Sequence, residues 1–257
     1  MTNESILQTA LRQSAIDMSC DPADFLNGGN RVVESRANLD ARKYLNLPFD
    51  CNLVCYGSGI VASVGRPELA EPVKCYIDRF PAEHCFETPN MHVLSELLAE
   101  YDLKLCFMAE YFLPDLNALQ PRPCDYELRW MTQPDFASLY LAQWSNALCE
   151  KRRELDVLGV GAYHNGELVG LAGCSADCDS MWQIGIDVLP EYRRQGIAEA
   201  LTSRLALGCV ERGKVPFYCA AWSNIRSVRN AIACGFRPAW VELTAKPKAF
   251  VDEMNRG

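Results

Sequence analysis

The chain has 257 residues, 49% hydrophobic and 23% charged, which suits one or two soluble domains with a sizeable core. Its 33 acidic and 25 basic side chains leave a net charge of −8, and this argues against nucleic acid as a partner, because phosphate binding needs a basic surface. No apolar run approaches the roughly 18 residues of a membrane helix. The first ten residues lack both the basic start and the apolar stretch of a secretory signal, so a cytoplasmic protein with no membrane association is expected.

From the N-terminus, Glu4 to Met18 carries Ile6, Leu7, Ala10, Leu11, Ala15 and Ile16 at helical spacing, which predicts an amphipathic helix. Asn27 to Asn30 reads as a loop and Glu34 to Leu45 as a second helix. Asn52 to Tyr56 and Ile60 to Val64 flank a Gly57-Ser-Gly turn, the pattern of a β-hairpin. A nucleotide loop is disfavoured there, since Ala62 stands where the third glycine of the dinucleotide fingerprint belongs and the next residues read as strand. Glu68 to Phe80 and Met91 to Tyr101 are helical patterns joined by a turn. Lys104 to Leu113 reads as a buried strand.

Prolines at 114, 121 and 123 mark the expected domain boundary, dividing a mixed α/β accessory domain at 1–121 from a second domain at 122–257. All the excess acid lies in the first part: residues 1–121 hold nine basic and seventeen acidic side chains, the remainder sixteen of each. Thirteen cysteines are scattered through apolar contexts without a Cys-x-x-Cys pair. They read as reduced, mostly buried thiols, and no metal site is expected.

In the second part Tyr126 to Met131 predicts a strand, and Pro134-Asp135 opens a predicted helix through Trp144. The run Glu150 to Glu154 reads as a solvated face. His164-Asn-Gly166 joins the strands Leu158 to Tyr163 and Glu167 to Cys174 in a hairpin, with His164 exposed in the turn. Asp177 and Asp179 fall in a further turn and read as solvated. Val215 to Ala221 predicts a strand, Asn224 to Cys234 a short helix and Ala239 to Thr244 a closing strand.

Between those elements lies the most informative stretch. Ile184, Ile186 and Val188 alternate as in a strand, and Pro190, lacking an N–H, stops it. Arg193-Arg194-Gln195-Gly196-Ile197-Ala198 then turns directly into a helix whose apolar residues Ile197, Leu201, Leu205 and Val210 recur at helical spacing. A helix N-terminus offers unpaired N–H groups and the positive end of the macrodipole to a phosphate or pyrophosphate. Gly196 and Ala198 keep side chains out of the way, and two arginines stand beside them.

Arg-x-x-Gly-x-Ala after this turn resembles the acyl-coenzyme A loop of the GNAT superfamily of N-acetyltransferases. Asn224, Ser227 and Gly235-Phe236 resemble that family's next strand, helix and Gly-Phe turn, and the likeness covers roughly residues 122 to 248. It implies an α/β fold with a mixed central sheet, in which the strand before the loop and the strand after its helix splay apart. It also implies that backbone groups of Ile186 and Val188 bind the pantetheine arm and that Arg193, Arg194, Gln195, Gly196, Ile197 and Ala198 cradle the pyrophosphate. Asn224 and Ser227 would lie on the arm's far side, although Asn224 is equally a good helix N-cap.

The catalytic half departs from the family pattern. Ala231 occupies the position of the family's tyrosine acid, and Trp182 falls near the position of its glutamate base. Tyr218 and Cys219, on the neighbouring strand, are the alternatives by sequence. The resemblance therefore implies an acetyl-coenzyme A-dependent transferase acting on a small-molecule amine, and the acid excess suits a cationic one. A non-catalytic acyl-coenzyme A-binding sensor or scaffold is the competing reading.

Overall fold

The computed structural model describes residues 1–256. In chain order its helices and strands are α1 (Asn3–Met18), β1 (Arg31–Glu34), β2 (Cys51–Cys55), β3 (Ile60–Val64), α2 (Ala70–Arg79), α3 (Thr88–Ala99) and β4 (Leu103–Pro114). There follow β5 (Glu127–Thr132), β6 (Asp156–His164), β7 (Glu167–Ser175), β8 (Met181–Val188), α4 (Ile197–Glu211), β9 (Val215–Ala220), α5 (Ile225–Ala233), β10 (Phe236–Pro247) and α6 (Lys248–Met254). No helix among the described residues is long and apolar enough to cross a membrane. The fold is α/β with a mixed sheet, as expected.

Two compact units emerge: Met1–Ala10 with Tyr111–Pro238, and Leu11–Glu110 with Ala239–Gly257. They part inside α1, β4 and β10, whereas the sequence reading places a boundary after residue 121.

In the second of these units the strand order is β1-β3-β2-β10. β2 and β3 form the expected antiparallel hairpin, and β1 lies parallel to β3 from Arg31↔Val61 to Glu34↔Val64. The apolar face of α2, with Val73, Tyr76 and Ile77, and Leu94 and Leu98 of α3 pack on Leu53, Ala62, Val64 and Leu243. Each such buried aliphatic side chain contributes about 1.5–3 kcal/mol. Every residue of β2 and β3 is buried, the polar Asn52 and Ser63 among them.

The helix predicted over 34–45 does not form. Strand β1 ends there and turns follow, because Arg42 is drawn inside, only 2% exposed. Its Nε donates to Asp17 and its Nη2 donates to Glu242 Oε1 at 3.0 Å. A buried guanidinium needs such partners, and meeting both overrides local helix propensity. Glu242 also accepts from Trp240 Nε1 at 3.0 Å.

The other unit orders its strands β9-β8-β7-β6-β5. β5 to β8 are antiparallel neighbours, and β8 and β9 are parallel. On one face α4 buries Ile197, Leu201 and Leu205 against Val160, Val169, Ile184 and Phe236. Gly170 lets the helix approach, since a Cβ there would lie 2.8 Å from Ile197 Cγ2.

The helix expected from Pro134 to Trp144 is replaced by short 3-10 turns at Gln133–Phe136 and Ala142–Trp144. Thr132 and Asp135 form a capping box, which starts a turn but cannot extend it. Phe136, Trp144, Ala147 and Leu148 are instead pinned separately into a small cluster with Met131 and Leu171. Local capping signals therefore lose to tertiary anchoring.

Candidate acyl-carrier site

The site begins where two parallel strands part. β8 and β9 pair at Met181↔Val215, Trp182↔Pro216 and Gln183↔Phe217, where the registered pairs end. β8 nevertheless stays paired with β7 as far as Gly170↔Val188. The segment Ile184–Val188 thus presents a strand edge toward a gap, the splay that the family resemblance implies. Ile184 is buried in the core, and Ile186 and Val188 pack against it from half-buried positions, so the edge is held by its side chains while its backbone faces the gap.

At the end of β8, Leu189 N donates to Val169 O at 3.0 Å and Pro190–Tyr192 makes one 3-10 turn. Arg193 Nε donates back to Val188 O at 3.0 Å. Arg194 (φ 62°) and Gly196 (φ 77°) are both left-handed. For Gly196 this is free of strain, but for an arginine it costs about 1–2 kcal/mol. Gly196 is the N-cap of α4 and supplies no side-chain cap, so the helix's leading N–H groups are aimed outward without one. An uncapped N-terminus, a close-approach glycine and two exposed arginines fit a pyrophosphate.

Across the gap, Tyr218 is only 2% exposed and its hydroxyl lies 2.8 Å from Ser227 Oγ. Burial raises its pKa, although hydrogen bonds from Ser227 and Asn230 act in the other direction. The phenol therefore stays protonated at neutral pH. Cys219, the next residue, is half-buried, and Gln183 Nε2 donates to its Sγ at 3.0 Å. Asn224 is the N-cap of α5, with Oδ1 accepting from Ser227 N at 3.3 Å. The structure thus joins Tyr218, Ser227 and Asn224 in one hydrogen-bonded group and pairs Cys219 separately with Gln183.

Gln183 was not legible as a site residue, and neither were two others. Asp187 accepts from Asn146 N at 2.8 Å, Asn146 Nδ2 at 2.7 Å and Ala147 N at 3.0 Å. That clamp presses the 146–147 backbone onto the sheet, where Cβ atoms at Gly173 and Gly185 would lie 2.2 Å from Ala147 O and 1.8 Å from Asn146 O. Tyr126, whose hydroxyl donates to Gln195 Oε1, shows in the sequence only as the start of a strand.

The turn acids differ from expectation. Asp179 is exposed, but Asp177 is fully buried, with Arg152 Nε 3.4 Å from its Oδ1. The charge run supplies that arginine, so it is not wholly a solvated face. Nearby Asp156 is buried and its carboxyl is raised from 3.8 to about 6, chiefly by desolvation, with the Cys149 N–H and Arg152 opposing. A pKa raised on folding stabilises the protein below the unfolded value, and that contribution is lost as pH rises through about 6. Relative to Asp156→Asn, which mimics the neutral form, the wild type should lose about 2 kcal/mol between pH 4 and 7. Urea titrations of both proteins across that range check this, and parallel pH profiles would refute it.

The profile of the GNAT acetyltransferase family matches residues 102–239, more than half of the chain. The chain belongs to the GNAT acetyltransferase family. Residues 1–101 precede the matched segment as an N-terminal addition. Among solved structures, the chain is similar to a GNAT-family protein from Novosphingobium aromaticivorans at 18% identity, covering 56% of this chain and 66% of that one, with a TM-score of 0.43. This is just under two thirds of that structure's own length. A GCN5-related N-acetyltransferase-like protein from Streptococcus suis is similar at 22% identity, with coverage of 61% and 69% and a TM-score of 0.45. An aminoglycoside N-acetyltransferase bound to coenzyme A shares 22% identity over 47% of this chain and 93% of its own, with a TM-score of 0.36. No curated protein matches the chain.

Proposed function

We propose that this GNAT protein transfers an acetyl group from acetyl-coenzyme A to the primary amine of a small cationic acceptor in the cytosol. The observation that carries the reading is the parting of β8 from β9 after Gln183↔Phe217, beside the uncapped N-terminus of α4. Acetyl-coenzyme A supplies the activated acyl group. The chain's residues bind and orient it: backbone groups of Ile186 and Val188 extend the sheet with the pantetheine amides. N–H groups from Arg194 to Ala198 cradle the pyrophosphate, and Arg193 and Arg194 add charge. Asn224 and Ser227 border the arm's other side.

Of the two candidate acids, Tyr218 fits better than Cys219. Its phenol is neutral at working pH, is fixed by Ser227 and belongs to the group that borders the arm. It would hold the proton that the departing thiolate takes. On this reading the N-terminal part of the chain is accessory, although Met1–Ala10 and the residues from Tyr111 on belong to the other compact unit. The acid excess of residues 1–121 sets the chain's net charge of −8, and a negative field of the whole chain supports a cationic acceptor.

The test follows free thiol released from acetyl-coenzyme A in the presence of amines, amino acids, polyamines and peptides. Turnover is expected with a cationic amine, and kcat/KM should fall as salt rises while kcat holds. Tight coenzyme A binding without turnover on any acceptor would favour the sensor or scaffold reading, which the alanine at 231 motivates.

A further inference from the structure

The loop from Arg193 to Gly196 carries a conformational burden, since Arg194 is a non-glycine residue held left-handed at φ 62°. Such a residue persists only where its surroundings fix it. Arg193 N donates to Pro190 O at 3.4 Å and Gly196 O accepts from Ala200 N at 3.0 Å, and two loop side chains reach back as well. Arg193 Nε reaches Val188 O, and Gln195 Nε2 reaches Glu191 O at 3.4 Å. Both belong to the loop and the residues just before it. The contact from outside is Tyr126, immediately before β5, whose hydroxyl donates to Gln195 Oε1.

Tyr126 is itself fixed by rings from two further segments. Its centroid lies 5.6 Å from that of His164, the last residue of β6, and 6.1 Å edge-on from that of Tyr192, in the turn that leads into the loop. His164 and Tyr192 complete the triangle at 5.7 Å. Rings from three stretches of the chain thus meet around Tyr126, whose hydroxyl bonds the loop. Aromatic contacts at such spacing stabilise beyond the area they bury.

We infer that Tyr126 is a positioning residue, a brace that acts through Gln195 to hold the Arg193–Gly196 loop in its anion-binding conformation before coenzyme A arrives. The inference rests on the proposed reading of this loop as the pyrophosphate cradle. Gln195 then serves by its side chain turning away from the ligand toward Tyr126, while its backbone stays in the cradle. Pre-organisation of this kind lowers the ordering cost of binding and so appears in affinity.

Tyr126→Phe removes the hydroxyl and keeps the ring against His164 and Tyr192, so the melting temperature should be unchanged. Its Kd for coenzyme A should rise about fivefold, the scale of one neutral hydrogen bond. Gln195→Ala should do the same, and the double variant should be no weaker than either single one, because both remove one interaction. In the ligand-free protein, amide hydrogen exchange at residues 194–196 should accelerate in Tyr126→Phe. Unchanged affinity together with unchanged exchange would overturn the brace, and multiplicative losses in the double variant would overturn its action through Gln195. Faster exchange in a protein that binds no coenzyme A would support the brace and overturn the cofactor reading.

Discussion

Gly196→Asp is expected to weaken coenzyme A binding about a hundredfold more than Gly196→Asn, with both proteins folded. The two replacements have the same shape and are the side chains that best tolerate the left-handed conformation, which Gly196 adopts at φ 77°. A Cβ at this position meets nothing closer than Pro123 O at 3.7 Å, so space is available and the backbone strain is common to both. What differs is one negative charge at the N-cap of α4. In the free protein that charge is welcome, since a carboxylate at a helix N-terminus accepts N–H bonds and opposes the dipole. It would therefore stabilise the fold while occupying and repelling the pyrophosphate position, and a full charge a few ångströms from a dianion near a surface costs about 3 kcal/mol or more. Calorimetric titration with coenzyme A, paired with thermal melts, decides it. Equal affinities for the two variants would remove the loop from the site.

That loop was legible because its determinants are local. Pro190 ends a strand, Gly196 opens a helix, and Ile197, Leu201 and Leu205 fall on one face, so strand, turn and helix are written within about thirty residues. The hairpin at His164-Asn-Gly166 is local in the same sense. Elsewhere the deciding partner is distant. Arg42 abandons a helix for Glu242, 200 positions away. β10 finds β2, with Val241 opposite Cys55, although its sequence reads only as a closing strand. Asp177 looks like a turn acid until Arg152 is placed beside it. At the site, Asn224, Ser227 and Gly196 were readable as a motif. Tyr126 and Gln183 were not, since each acquires its meaning from one hydrogen bond to a residue 69 and 36 positions on, and no spacing rule encodes such a pair.

Tyr218→Phe is expected to lower kcat about a hundredfold, within the range that one general acid supplies, while coenzyme A affinity changes little. The ring of Tyr218 lies in the core with Phe236 and stays there in the variant, so only the hydroxyl and its contact with Ser227 are lost. The family's helical tyrosine position is filled by buried Ala231, and Tyr218 offers a phenol from the strand instead. The pH dependence follows from the direction of its shift. Burial raises the pKa above the usual tyrosine value, so the acid form persists through neutral pH and the group's contribution is lost only as pH rises past about 10. A wild-type basic limb near pH 8 would belong to another group, and Tyr218→Phe should retain it. Cys219→Ser is the necessary contrast, because it removes the thiol that Gln183 contacts and should cost less than about threefold if Tyr218 is the acid. A Tyr218→Phe enzyme with wild-type kcat, beside a Cys219→Ser enzyme that has lost it, would reverse the assignment.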